Sequence, residues 1–118
     1  MITQERLKEL YFHCPKSGEF IRKKTRASAK KGSSAGWVNY YGYIEMSVDM
    51  KRYYAHRLAW LYHYGEFPEK GFVVHHINSD GGDNRIENLQ VLTKKENLRK
   101  PWYIEGNQRP YRPKHYLC

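Results

Sequence analysis

The sequence predicts an α+β chain: a small N-terminal antiparallel sheet with a helix, then a ββα unit, then an extended C-terminal tail. Three observations carry this. Residues 42–49 alternate apolar and polar side chains, the period of a strand with one buried face. Residues 55–64 place Leu58, Ala59, Leu61 and Tyr62 at helical spacing. Residues 73–100 read as strand, turn, strand and capped helix in that order.

Each element can be justified in turn. Residues 4–11 set Leu7, Leu10 and Tyr11 on one face of a short helix, and residues 12–21 read as strand, turn, strand around Pro15 and Gly18. Residues 22–34 are basic and rich in small residues, without the apolar pattern of an element. In the next strand Ile44, Met46 and Val48 share a face. A turn at Asp49-Met50-Lys51 leads through Arg52-Tyr53-Tyr54 into the helix Ala55 to Tyr64, which ends before Gly65, a residue suited to a left-handed cap. Glu66-Phe67-Pro68 then turns the chain.

Val73-Val74-His75-His76-Ile77 favours an extended chain, so His75 and His76 point to opposite faces and cannot share one job. Residues 78–84, NSDGGDN, are a dense turn signal that returns Leu89–Val91 beside the first strand. Thr93-Lys94-Lys95-Glu96 fits a capping box, so a helix is expected from Thr93, with Asn97 at the end of its first turn and Pro101 stopping it.

This segment resembles the HNH endonucleases, within them the homing type common in phages and mobile introns. The family's pattern is a metal ligand followed at once by a general-base histidine, an Asn after eleven intervening residues, and another Asn after eight more. His75, His76, Asn88 and Asn97 fit both intervals. Residues 42–68 also look like the segment that precedes the paired histidines in such enzymes. The resemblance thus runs from about residue 11 to residue 100, and its motif content is strong only after Val73. It implies that His75 and Asn97 bind one divalent cation, that His76 activates the attacking water, and that Asn88 holds the His76 ring through its side-chain amide.

The chemistry suits those residue types. Imidazole is a base near neutral pKa, and a cation supplies positive charge to the phosphate and the leaving 3′ oxygen. Two neutral protein ligands imply weak metal affinity without DNA. Mg²⁺ is the expected ion, with Mn²⁺, Ni²⁺ or Zn²⁺ able to compete at a histidine ligand. Cys14 and Cys118 are isolated, so no structural zinc is expected. A reduced cytosolic pair is the expectation for them, with a disulfide left open.

A net charge of +9 on 118 residues, with 11 tyrosines and 3 tryptophans, favours a nucleic-acid partner, here double-stranded DNA. No long apolar run, amphipathic basic helix or signal peptide appears, so no membrane is expected; the resemblance implies a phage-encoded protein acting in the host cytoplasm. Arg85 is the candidate phosphate clamp, against a salt bridge to Asp83 or Glu87. Lys94, Lys95, Arg99 and Lys100 on the last helix, and Lys23, Lys24 and Arg26 in the basic loop, are candidate DNA contacts, against a solvated face. His56 reads first as a buried, hydrogen-bonded residue and second as a phosphate contact or buttress. Asn84 reads as a turn residue, His63 as surface or packing, and His13 carries no pattern.

The expected organisation is residues 1–68 as a sheet-and-helix region able to contact DNA, 69–101 as the nuclease unit, and 102–118 as a basic aromatic tail. The reading is a metal-dependent endonuclease leaving 5′-phosphate and 3′-hydroxyl ends, acting as monomer or homodimer to nick or to cut both strands. A DNA-binding module that does not cut, and a basic RNA-binding protein, are the alternatives.

Overall fold

The structure, a computed structural model, describes residues 1–93. Helix α1 (Gln4–Leu10) starts at Thr3, whose hydroxyl accepts the Arg6 amide at 3.2 Å. Strands β1 (Tyr11–His13) and β2 (Phe20–Arg22) pair antiparallel, as the strand–turn–strand pattern predicts. Cys14, fully buried in their turn, is not a free thiol. Cys14 is disulfide-bonded, against the reduced state expected of it; Cys118 lies outside the described residues.

Strands β3 (Trp37–Val38), β4 (Ile44–Val48) and β5 (Lys51–Tyr54) form an antiparallel sheet with β4 in the centre. β4 and β5 are joined by a two-residue turn in which Asp49 and Met50 both have positive φ, 50° and 68°. Such a turn matches the right-handed twist of the flanking strands. Two-residue β3 was not anticipated, since it is too short to show any alternation.

Helix α2 (Ala55–Tyr64) follows β5 without a loop and ends at Gly65, in the left-handed region at φ 84°, with its amide bonded to the Leu61 carbonyl. Leu58, Ala59 and Leu61 are buried, as the helical spacing predicts, together with Ala55 and His56, while Tyr62 is only half-buried. Strands β6 (Phe72–His76) and β7 (Leu89–Thr93) pair antiparallel with Val74 opposite Val91 and His76 opposite Leu89. A single 3₁₀ turn, Ile86–Asn88, precedes β7 where the sequence shows only an approach to the strand.

One apolar core joins these parts: Leu7 of α1, Phe20 of β2, Met46 and Val48 of β4, Ala55, Leu58, Ala59 and Leu61 of α2, Val74 of β6 and Leu89 of β7. The β6–β7 hairpin thus rests on α2, and α2 rests on the N-terminal elements. Thr93 is the last residue of β7. The helix expected from it, with Asn97, Lys94, Lys95, Arg99 and Lys100, and the tail from residue 102 lie outside the described residues. Among the described residues, no helix is long and apolar enough to cross a membrane.

Candidate active site

His75 and His76 end β6, and strand alternation separates them as expected: His75 is half-buried and His76 is 4% exposed. The loop from Ile77 to Arg85 then folds back under His76. It is held by its own side chains. Asn78 Oδ1 accepts the Asp80 amide, Asp80 Oδ1 accepts the Gly82 amide, and Asn78 Nδ2 donates to Asp83 at 2.8 Å.

Asn88 is central to that loop, but it does not hold the His76 ring. Its Nδ2 donates to Asn78 Oδ1 at 3.0 Å and to the Asp83 carbonyl at 2.9 Å, and its Oδ1 accepts the Asn78 amide at 3.1 Å. Its backbone carbonyl accepts the amide of Ile77, the residue after His76. With three side-chain bonds made inside the loop, both amide hydrogens are used there.

The residue on the ring is Asn84. Its Oδ1 lies 2.7 Å from His76 Nε2, and Asn84 is 1% exposed. An amide oxygen only accepts, so Nε2 carries the hydrogen and Nδ1 holds the lone pair of the neutral ring. Among the described residues the one buried side-chain polar atom without a partner is the neighbouring His56 Nδ1. Burial lowers the His76 pKa, and the Asn84 bond works against that shift.

Nothing in the spacing distinguishes Asn84 from Asn78 or Asn88 as the ring's partner. Two further residues without a sequence pattern hold Asn84. His13 of β1 is buried and its Nε2 lies 2.9 Å from the Asn84 carbonyl, while its Nδ1 lies 2.9 Å from His63 Nε2. A carbonyl only accepts, so His13 donates through Nε2 and takes a hydrogen from His63 at Nδ1. Burial, then the neighbouring His63, pushes the His13 pKa down to about 4. Gly18, at φ 77°, lies so close that a Cβ there would sit 2.4 Å from Arg85 N and from Asn84 C.

The other side of His76 is aromatic. The rings of His56 and Tyr43 lie 4.8 Å and 5.8 Å away, and Tyr54 lies 5.3 Å from His56. His56 is buried as expected, but its Nδ1 lacks the hydrogen bond that the sequence reading gave it. Burial, then the neighbouring His76, pushes its pKa down to about 3.

Arg85 follows the salt-bridge reading. Its Nε and Nη2 each reach Asp83 at 2.8 Å and its Nη1 reaches Glu87 at 2.8 Å. Asp83 is fully buried, and a buried carboxylate requires such a partner. The guanidinium offered as a phosphate clamp is therefore committed to the loop. Lys23 donates to the Lys8 carbonyl and Lys24 pairs with Glu9, both on the surface. Lys24 and Arg26 line an open cleft with Arg6 and Arg22.

Among the described residues no group of three or more His, Cys, Asp or Glu can hold a metal. Of the two proposed cation ligands only His75 lies among them. Its half-buried place at the end of β6, beside His76, suits a site completed from outside the strand.

Comparison with known proteins points to one family. Residues 53–99 match the HNH endonuclease family model. A SPbeta prophage-derived protein of Bacillus subtilis (strain 168) named as an HNH homing endonuclease, YosQ, is 30% identical over 97 residues, covering 82% of this chain and 55% of that protein. The fold is similar to the solved structure of the HNH homing endonuclease I-HmuI, which binds and cleaves DNA. The TM-score is 0.55 at 26% identity, covering 75% of this chain and 49% of that one. The chain thus spans about half the length of each. The chain is similar, over residues 53–99, to the HNH endonuclease family and, over a longer stretch, to two HNH homing endonucleases.

Proposed function

We propose that this chain hydrolyses phosphodiester bonds of double-stranded DNA, with His76 as general base. The observation that carries the proposal is the His76 ring itself. Asn84 fixes Nε2 as the donor, burial keeps the ring neutral at physiological pH, and Nδ1 is left as the proton acceptor. His76 Nδ1 takes a proton from water, which attacks phosphorus in line with the 3′ oxygen and leaves 5′-phosphate and 3′-hydroxyl ends. Asn88 serves the reaction by closing the loop behind His76, and Asn84 orients the ring.

His75 and Asn97 would hold one divalent cation, Mg²⁺ first and Mn²⁺, Ni²⁺ or Zn²⁺ as competitors. When bound, it supplies positive charge to the phosphate oxygens and the leaving group. Support comes from the family and from the donor set, an imidazole and a carboxamide, both neutral. One nuclease unit per chain favours nicking by a monomer, and a homodimer would cut both strands. A phage-encoded protein acting in the host cytoplasm is in keeping with the prophage-derived relative.

The experiment is plasmid relaxation with Mg²⁺, with Mn²⁺ and with EDTA. Nicking that needs the cation and disappears in His76→Ala is the expected result. Wild-type nicking by His76→Ala rejects the base, and cation-dependent nicking by His75→Ala rejects the ligand. Duplex binding in EDTA without any nicking when cation is added would make the chain a binding module instead.

A further inference from the structure

The turn between β3 and β4 carries the most exposed aromatic pair among the described residues. Tyr40 is 95% exposed and Tyr41 77%, with ring centroids 5.3 Å apart and planes nearly perpendicular. Two adjacent aromatic rings left in water at one tip make a candidate contact surface.

The turn that presents them is rigid. Asn39 Oδ1 accepts the amides of Tyr41 at 2.9 Å and Tyr43 at 3.0 Å, Asn39 N donates to the Tyr43 carbonyl, and Gly42 N donates to the Asn39 carbonyl. Gly42 supplies the left-handed residue at φ 85°. The same turn abuts the loop beneath His76. A Cβ on Gly81 would lie 2.8 Å from the Tyr43 ring and 2.9 Å from the Gly42 carbonyl. Tyr43 in turn lies against His76. The pair therefore stands two residues along a locked turn from a ring that touches the proposed base.

The charge around it suits a polyanion. Lys51 and Arg52 are exposed on β5, and Arg52 sits over the Trp37 ring at 5.8 Å. The two carboxylates of this sheet are already engaged, Glu45 with Asn39 Nδ2 and Asp49 with Arg6.

We propose that the Tyr40–Tyr41 tip is a base-stacking wedge, which enters a DNA groove next to the strand presented to the His75–His76 site and stacks between neighbouring bases. The place of the wedge beside the cut rests on the nuclease reading above; its stacking does not. Tyrosine offers a flat face that any base can stack on, and a rigid turn loses little freedom on insertion.

The test compares wild type, Tyr40→Ala/Tyr41→Ala and Tyr40→Phe/Tyr41→Phe in EDTA. The probes are a fluorescent 40-bp duplex of arbitrary sequence and the same duplex with a central two-base mismatch. Both tyrosines are exposed, so all three proteins are expected to keep the same far-ultraviolet dichroism. The alanine pair should bind about tenfold more weakly or worse, with an unchanged salt slope, because no phosphate contact is removed. The phenylalanine pair should stay close to wild type. Wild type should favour the mismatched duplex, whose bases are easier to part, and the alanine pair should lose that preference. Equal binding by wild type and the alanine pair, or phenylalanine binding as weak as alanine, overturns the wedge; so does wild type failing to bind either duplex. Plasmid nicking with cation reports separately on the nuclease reading. Wild type that shows the stacking pattern but never nicks sinks that reading alone, and wild type that nicks with an indifferent alanine pair sinks the wedge alone.

Discussion

Acid should destabilise this protein well before its carboxylates titrate, and His56 gives the means to test why. The His56 and His13 pKa values are pushed down from 6.5 to about 3 and about 4, burial being the first cause for each, and His76 is lowered in the same direction. For a histidine with a depressed folded pKa the unfolded chain binds the proton first. Stability is thus fully present above 6.5 and lost as pH falls from 6.5 towards the folded value. At pH 5 the unfolded histidines are almost all protonated and the folded ones almost all neutral. Linkage then gives a loss of about 2 kcal/mol each between pH 7.5 and pH 5, roughly 4 kcal/mol together. That is a large share of the roughly 5–15 kcal/mol available to a domain.

The assay is urea unfolding at pH 7.5 and pH 5, followed by far-ultraviolet dichroism, on wild type and His56→Phe. The substitution keeps a ring against His76, Tyr43 and Tyr54 and removes a buried nitrogen that has no partner. It should leave stability at pH 7.5 within about 1 kcal/mol. It should also shrink the acid loss by about 2 kcal/mol. Asp83, Asp49 and Glu9 have lowered pKa values, so their contributions are lost only further into acid, as pH falls through values below about 4. Equal stability of wild type at the two pH values would refute the reasoning, as would an acid loss that His56→Phe leaves intact.

The two asparagines of the loop should fail differently. Asn84→Ala removes the bond that raises the His76 pKa, so the acidic limb of the cleavage pH profile should move to lower pH while the plateau rate falls roughly tenfold to a hundredfold. A profile that does not move would separate Asn84 from the base. Asn88→Ala breaks three hydrogen bonds within the loop and should cost roughly 2–4 kcal/mol of stability in urea. Asp83→Asn weakens the partner of Arg85 without changing the side chain's shape. Arg85 should then gain freedom to meet phosphate, seen as a steeper salt slope for duplex binding by about one ion.

Local pattern carried most of the fold. Helix α2 was legible because a stripe of Leu58, Ala59 and Leu61 ends at a glycine, and β4 because Ile44, Met46 and Val48 alternate. The β6–β7 hairpin was legible because seven turn-forming residues separate two apolar runs. The pairing at the site was not. Asn78, Asn84 and Asn88 share one chemistry and lie in one loop, and which of them meets His76 depends on how the loop is pressed from outside. That pressure comes from His13, 71 positions from Asn84 in sequence, and from Gly18. His13 has no local signal, and Gly18 signals only a turn. Arg85 illustrates the same limit: a guanidinium beside phosphate chemistry suggests a clamp, but only the burial of Asp83 decides that it is a counter-ion.

The outside pressure makes a last prediction. If the β1–β2 turn positions Asn84, damage there should reduce cleavage beyond what lost stability explains. Gly18→Ala puts a methyl group 2.4 Å from Arg85 N and Asn84 C, at a backbone φ of 77° that alanine resists, so the turn and the loop must part. Leu58→Ala removes a fully buried side chain of α2 instead, and should cost about 2–5 kcal/mol by leaving a cavity. Both variants lower the urea midpoint. At a temperature where each is still more than nine-tenths folded, Leu58→Ala should cut DNA at nearly the wild-type rate, because its defect lies in the core. Gly18→Ala should cut more slowly and with its acidic limb displaced, because its defect reaches the His76 ring through Asn84. Equal rates for the two folded variants would mean that the loop holds its geometry by its own hydrogen bonds and that the hairpin beneath it is only a support for the core.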